Sequence, residues 1–255
     1  MLLPVMFYFR EFRRLSKQEV RWLLIIGFFA LFTQAPLYYA YLITEIGTAT
    51  LLFYAAYTLA SYWVGKWVMR ETITLVKIIA MLLAFCGLAL IFGLSIGVFS
   101  LMGMLMAMLN GVASGFEISM SKKLTKLSSI AISFYMWLPI FFSHILIGFA
   151  LGEKVPSFSG SWPWIAMILF AIVGLVAGLL VFEGFKRVDA SVGSIMGLSE
   201  VVWAVVFGAV LFGESVGISV IVGGILIIIA GLLPDVKNII EGRKNSKTVI
   251  ASGDH

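Results

Sequence analysis

One cysteine, Cys86, leaves this chain no internal disulfide, and its place inside an apolar run reads as that of a small core side chain. Two histidines, one of them the last residue, cannot build a zinc site of Cys and His ligands. HExxH, GxSxG and a Gly-rich phosphate loop are all missing, so the residues of metalloprotease, serine hydrolase and nucleotide-phosphate chemistry are not there. Charge is scarce too, at 12% of residues against about 25% in soluble domains. The longest loop on the sparsely charged side, around residues 152–162, is too short to be a domain. A soluble catalytic domain is therefore excluded, no enzyme is expected, and neither a cofactor nor a metal is implied.

What the chain has is apolar length. It is 61% hydrophobic, with a mean hydropathy of +1.07. Eight apolar runs fall at 22–43, 48–68, 73–94, 100–121, 129–151, 162–184, 189–212 and 216–234. Each is long enough, at about 1.5 Å per residue, to cross a hydrocarbon core of roughly 30 Å. The fold class expected is an all-α polytopic membrane protein with eight transmembrane helices. Alternating the loops places seventeen of the eighteen Lys and Arg on one side, with Lys77 reaching back to that interface and Lys154 alone on the other. Lys and Arg accumulate in cytoplasmic loops, which predicts a multi-pass protein of the cytoplasmic membrane with both termini cytoplasmic. The net charge of +5 then reflects sidedness and attraction to anionic lipid, and no nucleic-acid partner is expected. The polar segment 235–255 is read as a disordered cytoplasmic tail.

An internal repeat emerges when Glu71 is laid over Glu214: Gly65 then meets Gly208, and Ile78 meets Ile221. The offset spans five runs, an odd number, so the two copies lie upside down relative to each other, an arrangement recurrent in transporters. The second copy, 98–234, has five spans, whereas the first, 1–95, has three. Residues 1–9 are apolar and precede the basic cluster with no small-residue cleavage site. They read as the tail of a further helix and not as a signal peptide. About one and a half helices are missing from the first copy, and a truncated or mis-started gene product is the preferred explanation.

The segment 185–234 resembles the closing part of an EamA domain of the drug/metabolite transporter superfamily. Ala190, Glu200, Gly213 with Glu214, Gly223 and Gly231 fill the family's places, and Glu71 stands for the terminal Glu of the first copy. Two departures occur. Arg70 replaces a Gly, and Val201, with Thr58 as its first-copy counterpart, stands where the family carries Pro after the intramembrane Glu. A proline kink is therefore not implied there. The resemblance implies a ten-helix, two-repeat inverted architecture around a central cavity and a small-molecule substrate of unspecified class.

Charges at mid-bilayer cost about 2.5–3.5 kcal/mol on insertion scales and are functional candidates by default. Glu200, at the centre of the seventh run, is either a substrate-cation or proton site or a hydrogen-bonded lock between helices. Asn110, Ser114 and Glu117 recur on one helical face, which must look inward, although Glu117 also lies near Lys122 and the interface. The separate pair Gly111 and Gly115 reads as a packing seam. Gln34 and Tyr38 align in the first run, Tyr54 and Tyr57 in the second; both sets suit a cavity lining an amphipathic solute. Tyr41 reads as an interfacial belt residue. His144 is an interhelical hydrogen-bond partner or a proton relay. The function expected is a secondary transporter of a small organic solute, alternating in access and coupled to protons through Glu200. Its rival is a truncated, non-transporting membrane protein acting by helix-mediated association, in which a partner or a second copy of the chain, as a homodimer, covers the open first repeat.

Overall fold

A computed structural model describes residues 2–9, 11–93, 100–153 and 157–234. Arg10, Lys154 and the tail from residue 235, with its four basic residues and expected disorder, lie outside the described residues. All regular structure among the described residues is helical: α1 (Leu2–Tyr8), α2 (Lys17–Ala30), α3 (Ala35–Ile43), α4 (Ile46–Trp67), α5 (Leu75–Phe92) and α6 (Leu101–Met120), then α7 (Ser129–Ala150), α8 (Trp162–Arg187), α9 (Ala190–Gly197), α10 (Ser199–Phe212) and α11 (Ile218–Pro234). Six segments are long and apolar enough to cross a membrane: Lys17–Ile43, Leu75–Phe92, Leu101–Leu124, Ser129–Ala150, Trp162–Arg187 and Ala190–Phe212. The protein is an all-α polytopic membrane protein. The remaining two apolar runs are the 22-residue α4, whose inner face is largely buried, and the shorter α11.

Hydroxyl side chains start the helices by accepting the first free backbone N–H groups. Ser16 and Glu19 form a reciprocal capping box on α2, while Thr74, Ser100 and Ser128 cap α5, α6 and α7. Two of the expected runs are not continuous helices. Run 22–43 breaks at Leu31–Gln34, because Pro36, in the first turn of α3, has no N–H to donate and its ring would clash with the carbonyl four residues earlier in a continuous helix. Run 189–212 breaks at Leu198, although Val201 is no proline. Tighter three-residue bonds, from Leu198 N to Ile195 O and from Val201 N to Leu198 O, replace the α-helical ladder there.

The tightest packing is between α4 and α6. A Cβ on Gly115 would lie 2.6 Å from the Tyr57 carbonyl oxygen and 2.7 Å from the Ala60 Cβ, and one on Gly111 would strike the Phe53 carbonyl. The glycine pair is thus the seam its spacing suggests, and backbones touch where side chains are absent. A second backbone contact joins α5 to α11. A Cβ on Gly87 would lie 2.6 Å from the Gly223 carbonyl oxygen, and one on Gly223 the same distance from that of Gly87.

All five ion pairs among the described residues gather at the basic end. Loops that are far apart in sequence meet there: Arg13 donates to the Lys126 carbonyl, Lys186 to that of Leu127, and Lys122 to that of Val188. Lys77, nearly buried, reaches back to the Thr72 carbonyl and to Asp189 at 2.6 Å. The most enclosed pair is Lys122 with Glu71 at 2.7 Å. The Glu71 carboxylate also accepts from the backbone N–H of Ala190, so it caps α9 while holding α6.

The carboxylate of Glu71 lies over Gly65, where an added Cβ would come within 2.6 Å of it; Glu214 lies over Gly208 in the same way, at 2.5 Å. The two contacts recur at the offset of the sequence repeat.

Two outcomes follow from this packing. Gly111→Ala should destabilise the fold by about 1–3 kcal/mol, the range for overfilling a tight contact. Gly174→Ala, where nothing lies within 4 Å, should leave a thermal melt in detergent unchanged. Lys122→Met should cost about 3–5 kcal/mol by leaving Glu71 enclosed without its cation. Adding Glu71→Gln to it should cost less than the two single changes summed, as a double-mutant thermal cycle would read.

Candidate functional site

A cavity of about 440 Å³ opens between the helices. The α2–α3 break supplies Thr33 and Gln34, and α3 itself Tyr38 and Tyr41; α4 supplies Thr50, Phe53, Tyr54 and Tyr57. On α6 the lining is Asn110, Ser114, Glu117 and Ile118, and on α7 it includes Trp137. Phe182 and Phe185 come from α8, and Gly197 and Glu200 flank the α9–α10 break. Both interrupted helices thus end their first segments at the cavity, where irregular backbone is tolerated in a membrane protein.

Helical spacing brings the expected residues together. Asn110, Ser114 and Glu117 sit three and four positions apart on the face of α6 that does not carry Gly111. Packing that glycine against α4 aims the polar stripe into the cavity. Ser114 donates to Asn110 Oδ1 at 3.3 Å, leaving the buried Nδ2 of Asn110 without a protein partner. Such a group is costly unless something polar meets it. The Tyr57 hydroxyl shares this space with Glu117 and Glu200 and rests on Gly197, where a Cβ would lie 3.4 Å from it. Tyr54 lines the same cavity.

The cavity is graded from end to end. Toward the basic end Glu117, Phe182, Phe185 and Tyr57 are buried, whereas Tyr38, beyond the break and toward the far end of the Lys17–Ile43 span, is 56% exposed. Glu200 is itself exposed, and its carboxylate is accessible from the cavity. No described cation reaches either carboxylate. Lys122, the neighbour of Glu117 in sequence, is taken by Glu71 and the Val188 carbonyl instead.

Eight of the candidate residues, Gln34, Tyr38, Tyr54, Tyr57, Asn110, Ser114, Glu117 and Glu200, line this one space. His144 is not in the lining. Its Nδ1 lies 2.8 Å from the carbonyl of Ile140, one turn earlier on its own helix, and among the described residues it bonds to no other helix. Tyr41 is a correction of the opposite kind. It lines the cavity, with its hydroxyl 3.2 Å from that of Thr50, because the break before α3 turns that helix inward. Phe182 and Phe185 had no signal in the sequence, since α8 is so uniformly apolar that an inward ring looks like a lipid-facing one. Trp137 and Ile140 were equally silent; Pro139 beside them, inside α7, was the available cue. Among the described residues no three metal-ligating side chains converge.

Known proteins agree with this architecture. Residues 101–233 match the EamA-like transporter family. The WAT1-related protein At3g02690, chloroplastic, of Arabidopsis thaliana is 37% identical over 91 residues, which are 35% of this chain and 21% of that protein; the match thus spans about a fifth of the relative's length. A solved crystal structure superposes with a TM-score of 0.75 over 91% of this chain and 82% of its own, at 16% identity, a likeness of fold alone. With the family match running from the first residue of α6 almost to the end of α11, more than half its length, the chain belongs to the EamA-like transporter family.

Proposed function

We propose that this protein is a secondary transporter that carries a small organic solute across the cytoplasmic membrane by alternating access, with protons coupled through Glu200. The observation that carries the reading is the graded cavity. Polar and aromatic side chains from separate helices converge on one space, which is closed at the basic end and exposed at the other. We take the basic end as cytoplasmic, since Lys and Arg collect on that side. The geometry then corresponds to the outward-facing state of a carrier.

The repeats, 1–95 and 98–234, supply the second state. Glu71 over Gly65 and Glu214 over Gly208 are the same contact at opposite ends of the inverted pair, which supports the pairing of the repeats. In alternating access the two ends are never open together. In the inward-facing state the Lys122–Glu71 pair separates and the exposed end closes over Tyr38 and Tyr41. Uphill work in this reading is drawn from an ion gradient, which the placement of Glu200 assigns to protons.

Glu200 suits coupling because it is a carboxylate inside the cavity with no cation beside it, so it is free to exchange a proton for a solute. The test is uptake into proteoliposomes carrying an imposed pH gradient, with a panel of labelled amines, amino acids and sugars. The native chain should concentrate at least one of them. Glu200→Gln should reduce that gradient-driven uptake to the level of empty vesicles while leaving the thermal melt in place. Gradient-driven uptake at the native rate in this variant would refute the coupling role.

A further inference from the structure

The charge of the lining narrows the solute. Of 22 lining residues two are acidic, Glu117 and Glu200, and none is Lys, Arg or His. The described cations nearest the closed end are committed elsewhere: Lys122 to Glu71, Lys77 to Asp189 and Lys186 to Glu183. An anionic solute would meet two like charges in a setting of low dielectric constant, where repulsion over a few ångströms is strong. For an anion the lining offers only neutral donors, the unpartnered Nδ2 of Asn110 among them, and the starts of α3 and α10. Pro36 withdraws one N–H from the first, and Glu200 already occupies the first turn of the second.

A cation meets the opposite conditions. Two carboxylates are free to pair with it, and the walls are π faces: Tyr38, Tyr54, Tyr57 and Trp137 line the same space, and Tyr41 stands near its exposed end. Aromatic faces attract ammonium groups most strongly where water is displaced. The volume of about 440 Å³ is within the roughly 300–1,000 Å³ of small-molecule sites.

We infer that this cavity takes a small organic cation with an aromatic or apolar body, its charge between Glu117 and Glu200 and its body against the tyrosine rings. The inference rests on the transport reading for its biological meaning, but binding and transport separate in the test. The purified full chain in detergent is dialysed at pH 8 against labelled benzyltrimethylammonium, whose charge no pH change removes. Two competitors share its skeleton: neopentylbenzene, with carbon in place of nitrogen, and the anion phenylacetate.

Saturable binding of the cation is expected, with neopentylbenzene at least tenfold weaker as a competitor and phenylacetate inert. Glu117→Gln and Glu200→Gln should each weaken cation binding at least tenfold. Equal competition by neopentylbenzene, tighter binding of phenylacetate, or undiminished binding in the doubly substituted chain would each overturn the inference. The native-chain competition decides the matter even where a variant does not fold. Cation bound in dialysis but not moved by proteoliposomes would leave the site assignment standing and remove the transport reading. Uptake of an acidic amino acid or a sugar from the panel, with no cation bound, would do the reverse.

Discussion

The approach of α4 to α6 is the contact on which the rest of the molecule depends. Lipid gives helices no hydrophobic reason to associate, so close backbone packing has to supply the cohesion. Gly111 and Gly115 allow it by removing the side chains that would hold the two helices apart. Once that face of α6 is committed to α4, its rotation is set. Asn110, Ser114 and Glu117 can then point only into the space bounded by α4, α7 and α8. A polar stripe that would be intolerable against lipid is thereby made the floor of a cavity.

The second organising element is electrostatic and lies at one end only. Glu71 joins the loop after α4 to the end of α6 and to the start of α9, using a cation and a helix N-terminus together. Glu214, its counterpart by sequence offset, is exposed and makes no ion pair among the described residues. Equivalent carboxylates are thus in unequal surroundings. That inequality, more than any single distance, distinguishes the two ends of the protein.

Much of this was legible in the residues alone. Apolar run length located the long apolar helices of the described residues, because bilayer thickness imposes a length that composition reveals. The α6 stripe was legible because Asn110 and Glu117 are conspicuous against a background of Leu and Met. The interruption at Leu31–Gln34 was missed although Pro36 announces it, because apolarity runs through the break unchanged. The kink at Leu198 had no proline to mark it. Phe182 and Phe185 could not be told from lipid-facing rings, since apolarity in a membrane marks both the inside and the outside. The place of His144 was not legible, because an isolated imidazole can bond to its own helix, and sequence spacing alone does not show whether a second helix is within reach.

The crossing of α5 with α11 has a mechanical consequence. Gly87 and Gly223 each face the other's carbonyl oxygen, and Ile227 and Ile91, each one turn later, lean over the opposite glycine. Each isoleucine fills the notch that the facing glycine leaves open. Helices keyed in this way resist sliding, because either isoleucine would have to climb over a neighbouring side chain before the register could change. The crossing therefore fixes the height of α5 on α11 as a tenon in its mortise does.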